Sequence, residues 1–261
     1  MEFNNPRTYN WQGSFRGLRN PKNSWDKSDS IFGIGSERDM RKQFDKVTPL
    51  WEKEFAERGI DEDAKFWLED NGVFAYHYNE DDEEGYYEYV FIGPKDMDLA
   101  QRMVKAGPSD RKFLREIGVC IDITAPLFWF SEFDTYKVGT VANSTSKMHK
   151  LASTPITIEC FEMDDYDNTL QLDTFLDDIW DNRIRECETL RQRFNETKDI
   201  RYWKELIRIL PESWLQTRTW TGNYETLRNM YFQRRYHKLT EWHQFCDFIE
   251  TLPYAKELIT T

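Results

Sequence analysis

The stretch that decides the fold runs from residue 210 to residue 234 and reads LPESWLQTRTWTGNYETLRNMYFQR. It opens with Leu210-Pro211, continues through a segment rich in threonine and aromatic residues, and changes to a helical pattern near Asn223. Within that helical pattern Asn223, Leu227, Asn229 and Arg234 stand at offsets 0, 4, 6 and 11. The stretch therefore predicts a helix that begins near Asn223 and carries polar side chains at fixed intervals.

The charge around this stretch differs from that of the rest of the chain. The 261 residues include 47 Asp and Glu against 35 Lys and Arg, a formal net charge of −12. Residues 201–242 instead hold eight basic and four acidic residues, so this segment is +4 and the remainder is −16. An acidic protein does not favour nucleic-acid polymers or anionic membranes as partners. A local basic segment fits a small anion such as a nucleotide phosphate, or alternatively these arginines pair with the acidic helix predicted at 170–194.

The rest of the chain predicts an α/β (α+β) fold with a small sheet and a helical C-terminal half. Apolar spacing indicates a helix from Leu170 to Phe194, and further helices are expected from Asp199, near Asn223 and near Thr240. Another helix is predicted at 37–58, with Ser36 as its N-cap and Pro49 as an interruption, and a shorter one is capped by Asp96 and ended by Gly107. Alternation predicts a strand at Ile117–Ile123, with Asp122 on the opposite face from the isoleucines.

The distribution of hydrophobic residues also predicts how the chain is divided into an N-terminal arm and a domain. Residues 1–35 lack hydrophobic periodicity and are expected to form an irregular N-terminal arm, and residues 36–261 a single domain. Two aromatic runs, 73–78 and 86–92, flank an acidic run and predict an acidic hairpin near 72–92, with the strands clustered at 70–130. The spacing of the cysteines and histidines predicts no metal site. The absence of a leader or a long apolar run predicts a cytoplasmic protein with no membrane partner.

The 210–234 stretch resembles the C-terminal signature of the flavin-dependent thymidylate synthases, in which a Leu-Pro leads into a helix with Asn, Leu, Asn and Arg at the same offsets. His237 and Trp242 stand roughly where that family continues with its next conserved run. The resemblance implies that Asn223 and Asn229 lie on the flavin side of a site and that Arg234 binds the substrate phosphate. Arg208 lies within one position of a second family arginine that contacts the nucleotide.

A second stretch, residues 122–146, resembles another motif of the same family. An apolar strand is followed by Ala125-Pro126, an aromatic run, and then Asn143 and Ser146 at the spacing of the family Asn and Ser. The family's Arg-His-Arg is not kept, and Lys137 is the only cation in its place. By resemblance Asn143 and Tyr136 contact the cofactor, with Tyr136 stacking on a ring, and Ser146 and Lys137 contact the nucleotide.

The resemblance implies a divergent flavin-dependent enzyme that transfers a methylene to dUMP, a pyrimidine nucleotide, with Arg234, Ser146 and Lys137 as the catalytic candidates. Its cofactor would be FAD, its co-substrates NADPH and methylenetetrahydrofolate, and its assembly a homotetramer. The loss of Arg-His-Arg leaves open an alternative, a protein on the same scaffold that binds or sequesters a nucleotide without flavin catalysis. A third alternative is an interaction module whose helices and acidic face bind a protein partner.

Overall fold

The computed structural model of the protein describes residues 1–79, 84–164 and 179–261. Its strands are β1 (Glu2–Tyr9), β2 (Ile31–Gly35), β3 (Val73–Asn79), β4 (Glu84–Phe91), β5 (Gly118–Pro126), β6 (Val141–Ser144) and β7 (Leu215–Asn223). Its helices are α1 (Trp11–Arg19), α2 (Glu37–Arg58), α3 (Ala64–Asn71), α4 (Pro94–Ala106), α5 (Leu127–Phe133), α6 (Lys147–Lys150), α7 (Ile179–Thr197), α8 (Ile200–Ile209), α9 (Tyr224–Arg234), α10 (Thr240–Glu250) and α11 (Ala255–Leu258). None of the helices in these ranges is long and apolar enough to cross a membrane.

The strands form two sheets. One has four strands in the order β1-β5-β7-β6, and the other has three in the order β2-β4-β3. In the smaller sheet β3 and β4 pair antiparallel with Tyr76 opposite Tyr87, and β2 pairs antiparallel with the other edge of β4. The strands predicted on either side of the acidic run are therefore present, while residues 80–83 of that run lie outside the described residues.

Internal contacts divide the chain into two compact units, each made of discontinuous segments. The first unit comprises Met1–Asn5, Ile121–Lys137 and Val141–Trp220. The second unit comprises Pro6–Cys120, Val138–Thr140 and Thr221–Thr261. The single domain drawn at residues 36–261 stays a prediction.

Aromatic side chains supply much of each core. In the second unit the rings of Trp51 and Trp67 lie 4.2 Å apart, and Trp67 contacts Tyr254, whose ring is also 5.7 Å from that of Trp11. In the first unit Trp129 stacks on Phe133 at 4.5 Å, and Phe161 contacts Trp180 and Trp214. Such pairs add to the stabilisation from buried area, so the 16% aromatic content is used largely in packing.

Several local predictions are confirmed by the geometry of the caps. Ser36 accepts from the backbone N of Asp39, and the Asp39 carboxylate accepts from Ser36 in return, so α2 begins with a capping box. Asp199 caps α8 through the backbone N of Arg201, and α4 ends at Gly107. These signals depend on residues that are only two or three positions apart, as in Ser36 with Asp39 and Asp199 with Arg201, which is why the sequence alone locates them.

The prediction of an irregular N-terminal arm is wrong. Residues 2–9 form an edge strand of the larger sheet, and α1 follows with Trp11, Phe15 and Leu18 buried. Two glycines within α1 weaken its helical signal, because glycine disfavours helix interiors. The structure uses one of them for close packing, since a Cβ at Gly17 would approach the Glu116 carboxylate to 2.7 Å.

Two predicted helix boundaries are also wrong. Pro49 does not interrupt α2, which continues from Glu37 to Arg58. Its face buries Phe44, Trp51 and Phe55, and this packing outweighs the hydrogen bond that a proline removes. Asp96 does not cap α4 either, because the helix begins at Pro94 and the Asp96 side chain is fully buried.

The remaining differences concern extent. The helix predicted at 170–194 is seen as α7 from Ile179 to Thr197, and residues 170–178 lie outside the described part. Strands do not cluster only at 70–130, because β1, β2, β6 and β7 lie elsewhere in the chain. The alternation at 117–123 is confirmed as β5, where Ile121 and Ile123 are buried and Asp122 faces the other way.

Candidate functional site

The helix predicted near Asn223 is α9, and Asn223 is its N-cap. The Asn223 Oδ1 accepts from the backbone N of Thr226 at 2.9 Å and from the Thr226 hydroxyl at 3.2 Å. Leu227 is fully buried, Asn229 is exposed and Arg234 is the last helical residue. The four residues of the sequence pattern therefore differ in their environment. Asn223 caps the helix, Leu227 packs in the core, Asn229 has an exposed amide, and Arg234 places a cation at the end of the helix.

A turn of the chain packs against the N-cap. Thr226 donates from its hydroxyl to the carbonyl of Val138 at 3.5 Å, and a Cβ placed on Gly139 would lie 3.2 Å from Asn223 Nδ2. Gly139 has φ of 72°, which favours glycine. This turn follows Lys137 directly in the sequence, so the start of α9 fixes the chain next to a predicted site residue.

Arg234 lies over an aromatic ring at the other end of α9. Its guanidinium carbon is 4.8 Å from the ring centre of Trp242, which is fully buried. The ring of His237 makes an edge contact with the same indole at 6.1 Å, and its backbone N donates to the Arg234 carbonyl at 2.8 Å. The structure thus brings together Arg234, His237 and Trp242, three positions that the sequence singled out. The guanidinium of Arg234 therefore makes a cation–π contact with a buried indole.

In the first unit, the remaining predicted residues lie on the segment between α5 and α6. Tyr136 is half-buried and Lys137 is exposed in the loop after α5. Asn143 is exposed on β6, and Ser146 precedes α6 without capping it by its side chain. Lys137 and Asn143 are therefore exposed to solvent, whereas Tyr136 and Ser146 are partly buried.

Sequence reasoning missed Arg218, which holds both ends of this segment. On β7 its Nη1 donates to Asp134 at 2.7 Å, and its Nε donates to Gln216 at 3.0 Å. Gln216 in turn donates to the carbonyl of Thr145 at 2.7 Å, and the guanidinium lies 3.8 Å over the ring of Phe130. Asp134 opens the loop that carries Tyr136 and Lys137, and Thr145 is adjacent to Ser146. Arg218 therefore acts as a positioning residue for these side chains.

A signal for Arg218 does exist in the sequence. Gln216, Arg218 and Trp220 alternate with the three threonines 217, 219 and 221 along β7. Polar residues on the same face as a buried tryptophan indicate satisfied hydrogen bonds inside the fold.

The threonine face of the larger sheet is polar and hydrogen-bonded. Asp122 accepts from the Thr219 hydroxyl at 2.5 Å and from the Asn5 amide at 3.0 Å, and Thr124 bonds Thr217 at 2.7 Å. The hydrogen bonds from Thr219 and Asn5 lower the pKa of Asp122. This face therefore carries a fixed negative charge at neutral pH.

Arg208 belongs to the first unit, whereas α9 belongs to the second. It pairs with Glu205 at 2.7 Å on α8 and lines a cavity of about 440 Å³ with Trp180, Arg183 and Pro211. The alternative in which the basic segment pairs with the acidic helix is wrong for the described residues. Its ion pairs there join Arg201 with Asp199, Arg208 with Glu205 and Arg218 with Asp134, and none of these three carboxylates lies on α7.

Comparison with solved structures identifies this architecture. Thymidylate synthase X (ThyX) from Helicobacter pylori, solved with FAD and dUMP, matches with a TM-score of 0.58 and 14% sequence identity, covering 99% of this chain and 97% of that chain. The chain has the thymidylate synthase X fold. A second structure, flavin-dependent thymidylate synthase ThyX from H. pylori complexed with FAD and dUMP, matches at 17% identity and a TM-score of 0.48, over 64% of this chain and 83% of that one. No family model and no curated protein matches the sequence.

The match confirms the expected α/β (α+β) fold and, at the level of the fold, the resemblance to the flavin-dependent thymidylate synthases. At 14% identity it concerns the fold alone. The chain therefore shares the thymidylate synthase X fold, but a shared fold does not by itself determine the chemistry, which depends on the side chains of this chain.

Proposed function

We propose that this protein is a divergent flavin-dependent thymidylate synthase-like enzyme that transfers a methylene to a pyrimidine deoxynucleotide, dUMP. The proposal rests on the spacing of four side chains along α9. Asn223, Leu227, Asn229 and Arg234 keep the offsets of the family signature on a helix of a chain with that fold. A shared fold by itself permits many functions, so the matching side chains on one helix supply the additional support.

Arg234 binds the nucleotide phosphate in this proposal. Its charge is permanent, its planar fork matches a phosphate, and its guanidinium carbon lies 4.8 Å from the ring centre of Trp242. Fixing the phosphate at one end of the nucleotide orients the pyrimidine ring at the other. Arg208 contributes only if its pairing with Glu205 is exchanged for a ligand contact.

The remaining candidates act on the pyrimidine. Lys137 is exposed and brings a cation to a carbonyl oxygen, where negative charge is stabilised as carbon 5 becomes nucleophilic. The Ser146 hydroxyl donates a hydrogen bond to the nucleotide, and the ring of Tyr136 excludes water by stacking. Arg218 keeps the loop with Lys137 in place through Asp134.

The asparagine side chains of the candidate site suit a flavin edge chemically, because such an edge requires both hydrogen-bond donors and acceptors. Asn229 and Asn143 have exposed amides that supply both, and Asn223 has a donor directed toward Gly139. FAD, when bound, supplies the hydride from its reduced form, and NADPH and methylenetetrahydrofolate would be the co-substrates. A homotetramer, with sites shared between subunits, and a cytoplasmic location belong to the same proposal.

The test combines flavin content with nucleotide binding. Purified protein is expected to show the visible absorbance of flavin after addition of FAD, and to oxidise NADPH when dUMP and methylenetetrahydrofolate are present. Arg234→Ala should weaken dUMP binding about 10- to 100-fold, as expected for losing a charge-assisted hydrogen-bond pair. Arg193→Ala is the matched control, because Arg193 is an exposed arginine paired only loosely with Glu196 at 3.4 Å among the described residues.

A second candidate function is nucleotide binding without flavin catalysis. It is favoured by the loop at 135–140, where Lys137 is the sole cation. In that case dUMP binds in an Arg234-dependent manner, yet added FAD gives no bound absorbance and NADPH is not oxidised. If dUMP affinity is the same in Arg234→Ala as in the unmodified protein, both candidates fail.

A further inference from the structure

The second unit contains a cavity that no part of the proposed nucleotide site uses. It has a volume of about 700 Å³ and lies between the C-terminal end of α1, the end of α2 and the first turns of α4. We call it the basic cavity, and its lining residues are Arg19, Lys22, Ser24, Lys27, Glu54, Arg58, Pro94, Lys95, Asp98, Leu99 and Arg102. Of these, six are basic and two are acidic, which contrasts with the net charge of −12 of the whole chain.

The arginines of the basic cavity are already neutralised. Arg58 pairs with Glu54 at 2.5 Å, Arg102 pairs with Asp98 at 2.9 Å, and Arg19 pairs with the buried Asp96. The lysines are not. Within the described part of the chain Lys22, Lys27 and Lys95 form no ion pair, and all three are exposed.

Two lining residues of the basic cavity, Arg19 and Ser24, belong to a buried polar network that is centred on Asp96. Asp96 accepts from the Arg19 guanidinium, from the Ser28 hydroxyl at 2.5 Å and from the Ser30 hydroxyl at 2.6 Å. Arg19 also donates to the carbonyl of Ser24 at 3.3 Å, which holds the segment between Lys22 and Lys27 against α4. A fully satisfied buried network of this kind is rigid, so the three lysines extend from a fixed base.

The N-terminus of α4 does not provide the attraction. Its backbone N–H groups at Lys95 and Asp96 donate to the Asp29 carboxylate at 3.0 and 3.1 Å. The end of the helix is therefore already satisfied by a carboxylate. The positive charge available to a ligand comes from the lysine side chains alone.

We propose that the basic cavity binds an oligophosphate group, as carried by a nucleoside triphosphate or by free tripolyphosphate. Three ammonium groups from two separate segments can each contact a different phosphate, since lysine binds phosphate as a mobile point charge. A volume of about 700 Å³ is in the range of small-molecule sites and much larger than one phosphate. The surrounding acidic protein repels a long polyanion, which restricts the ligand to a short one.

This site does not depend on the proposed thymidylate synthase chemistry. None of its lining residues belongs to the α9 or β6–β7 candidates. The protein can therefore bind oligophosphate whether or not dUMP and flavin bind, and the two proposals fail separately.

Calorimetric titration of the full chain with tripolyphosphate, and in a parallel arm with a nucleoside triphosphate, tests the proposal. We expect saturable binding at low salt that weakens as salt is raised, because exposed charges are screened. The Lys22→Gln/Lys95→Gln double variant should bind about 100-fold more weakly, about tenfold for each lost charged contact. The matched control, Lys65→Gln/Lys204→Gln, removes two exposed lysines outside the cavity and should change the affinity less than twofold.

The arms separate the possible ligands. Tighter binding of the nucleoside triphosphate than of tripolyphosphate assigns the site to nucleotides, and equal binding assigns it to the phosphate chain alone. Because the substituted lysines are exposed, thermal unfolding should be unchanged in both double variants. Equal affinity of the cavity variant and the control, no binding of either ligand, or equally tight binding of tetraglutamate would overturn the proposal.

Discussion

The basic cavity and the basic segment at 201–242 both concentrate cations in an acidic protein, but they differ in how those cations are engaged. In the basic segment, six of the eight basic residues have contacts within the fold. Three form ion pairs, Arg228 donates to the carbonyls of Ile259 and Thr261, and Arg234 and Arg235 lie over aromatic rings. In the basic cavity, three lysines from two separate segments form no ion pair within the described part.

The difference shows that charge counted along the chain is not the charge offered to a ligand. Residues 201–242 stand out in the sequence because basic residues outnumber acidic ones within this one segment. Most of those basic residues nevertheless make contacts within the fold. Lys22 and Lys95 are 73 positions apart and are not conspicuous in the sequence. A cation that already pairs with a carboxylate or lies over an aromatic ring is less able to bind a ligand. Which cations remain unpaired depends on the tertiary contacts.

The largest expected effect comes from the buried network that joins Asp96 to Arg19 of the basic cavity. Asp96→Ala leaves the Arg19 guanidinium buried without its partner, so we expect a loss of about 3–5 kcal/mol in the free energy of unfolding. Urea denaturation measures it. Arg193→Ala, an exposed pair on α7, is the control and should change the midpoint little. A loss below about 1 kcal/mol in Asp96→Ala would mean that the network does not hold the cavity rigid.

The next effect concerns Arg218, the most tightly held arginine of the basic segment. Its side chain is 15% exposed, and Arg218→Ala removes the contacts with Asp134, Gln216 and Phe130. We expect the free energy of unfolding to fall by about 1–2 kcal/mol, measured by chemical denaturation. Arg218→Lys should recover little of it, because lysine lacks the planar fork. Full recovery by lysine would show that charge alone matters at this position.

A pH dependence is expected from Glu188 on α7. Hydrogen bonds from Arg191 lower the pKa of Glu188 to about 2 from an ordinary 4.5. A depressed carboxyl pKa stabilises the fold above pH 4.5, and this contribution disappears as the pH falls toward 2. Since the side chain is 22% exposed, solvent screening reduces the contribution to about 1 kcal/mol.

Unfolding measured at pH 7 and at pH 3 checks this expectation. Glu188→Gln should reduce the stability at pH 7 and make the difference between the two pH values smaller by about 1 kcal/mol. An unchanged difference in Glu188→Gln would assign the acid sensitivity of the fold to other carboxylates.

The smallest effect is predicted for Arg208. Its pair with Glu205 is solvent-exposed on both sides, so Arg208→Ala should change the free energy of unfolding by less than about 0.5 kcal/mol. Because stability is retained, any loss of dUMP affinity in this variant reports a ligand contact directly. Unchanged dUMP affinity would remove Arg208 from the site and leave Arg234 as the phosphate ligand.

Local sequence rules predicted much of the fold and part of the candidate site. The capping residues Ser36 and Asp199, the strand at 117–123 and the helix after Asn223 all depend on neighbours within a few positions. The pattern of Asn223, Leu227, Asn229 and Arg234 belongs to the same class, since a single helix fixes the spacing.

Other features could not be read locally. Pro49 remains inside α2 because the buried aromatic face of this helix packs in the core. Position 17 of α1 favours glycine because a Cβ there would approach the Glu116 carboxylate to 2.7 Å. Arg218 acquires its role only when Asp134, 84 positions away, is brought to its side. Such contacts depend on which segments meet, and no rule of spacing within one element contains that information.

The sequence by itself determined the class of fold, the position of most helices and the spacing of Asn223, Leu227, Asn229 and Arg234 along α9, because these features depend on residues close together in the chain. The tertiary structure alone decided which cations are used within the fold and which face a cavity. The physical reason is that an ion pair or a ring contact joins residues far apart in the chain. Folding determines these contacts, and with them the charge that remains for a ligand.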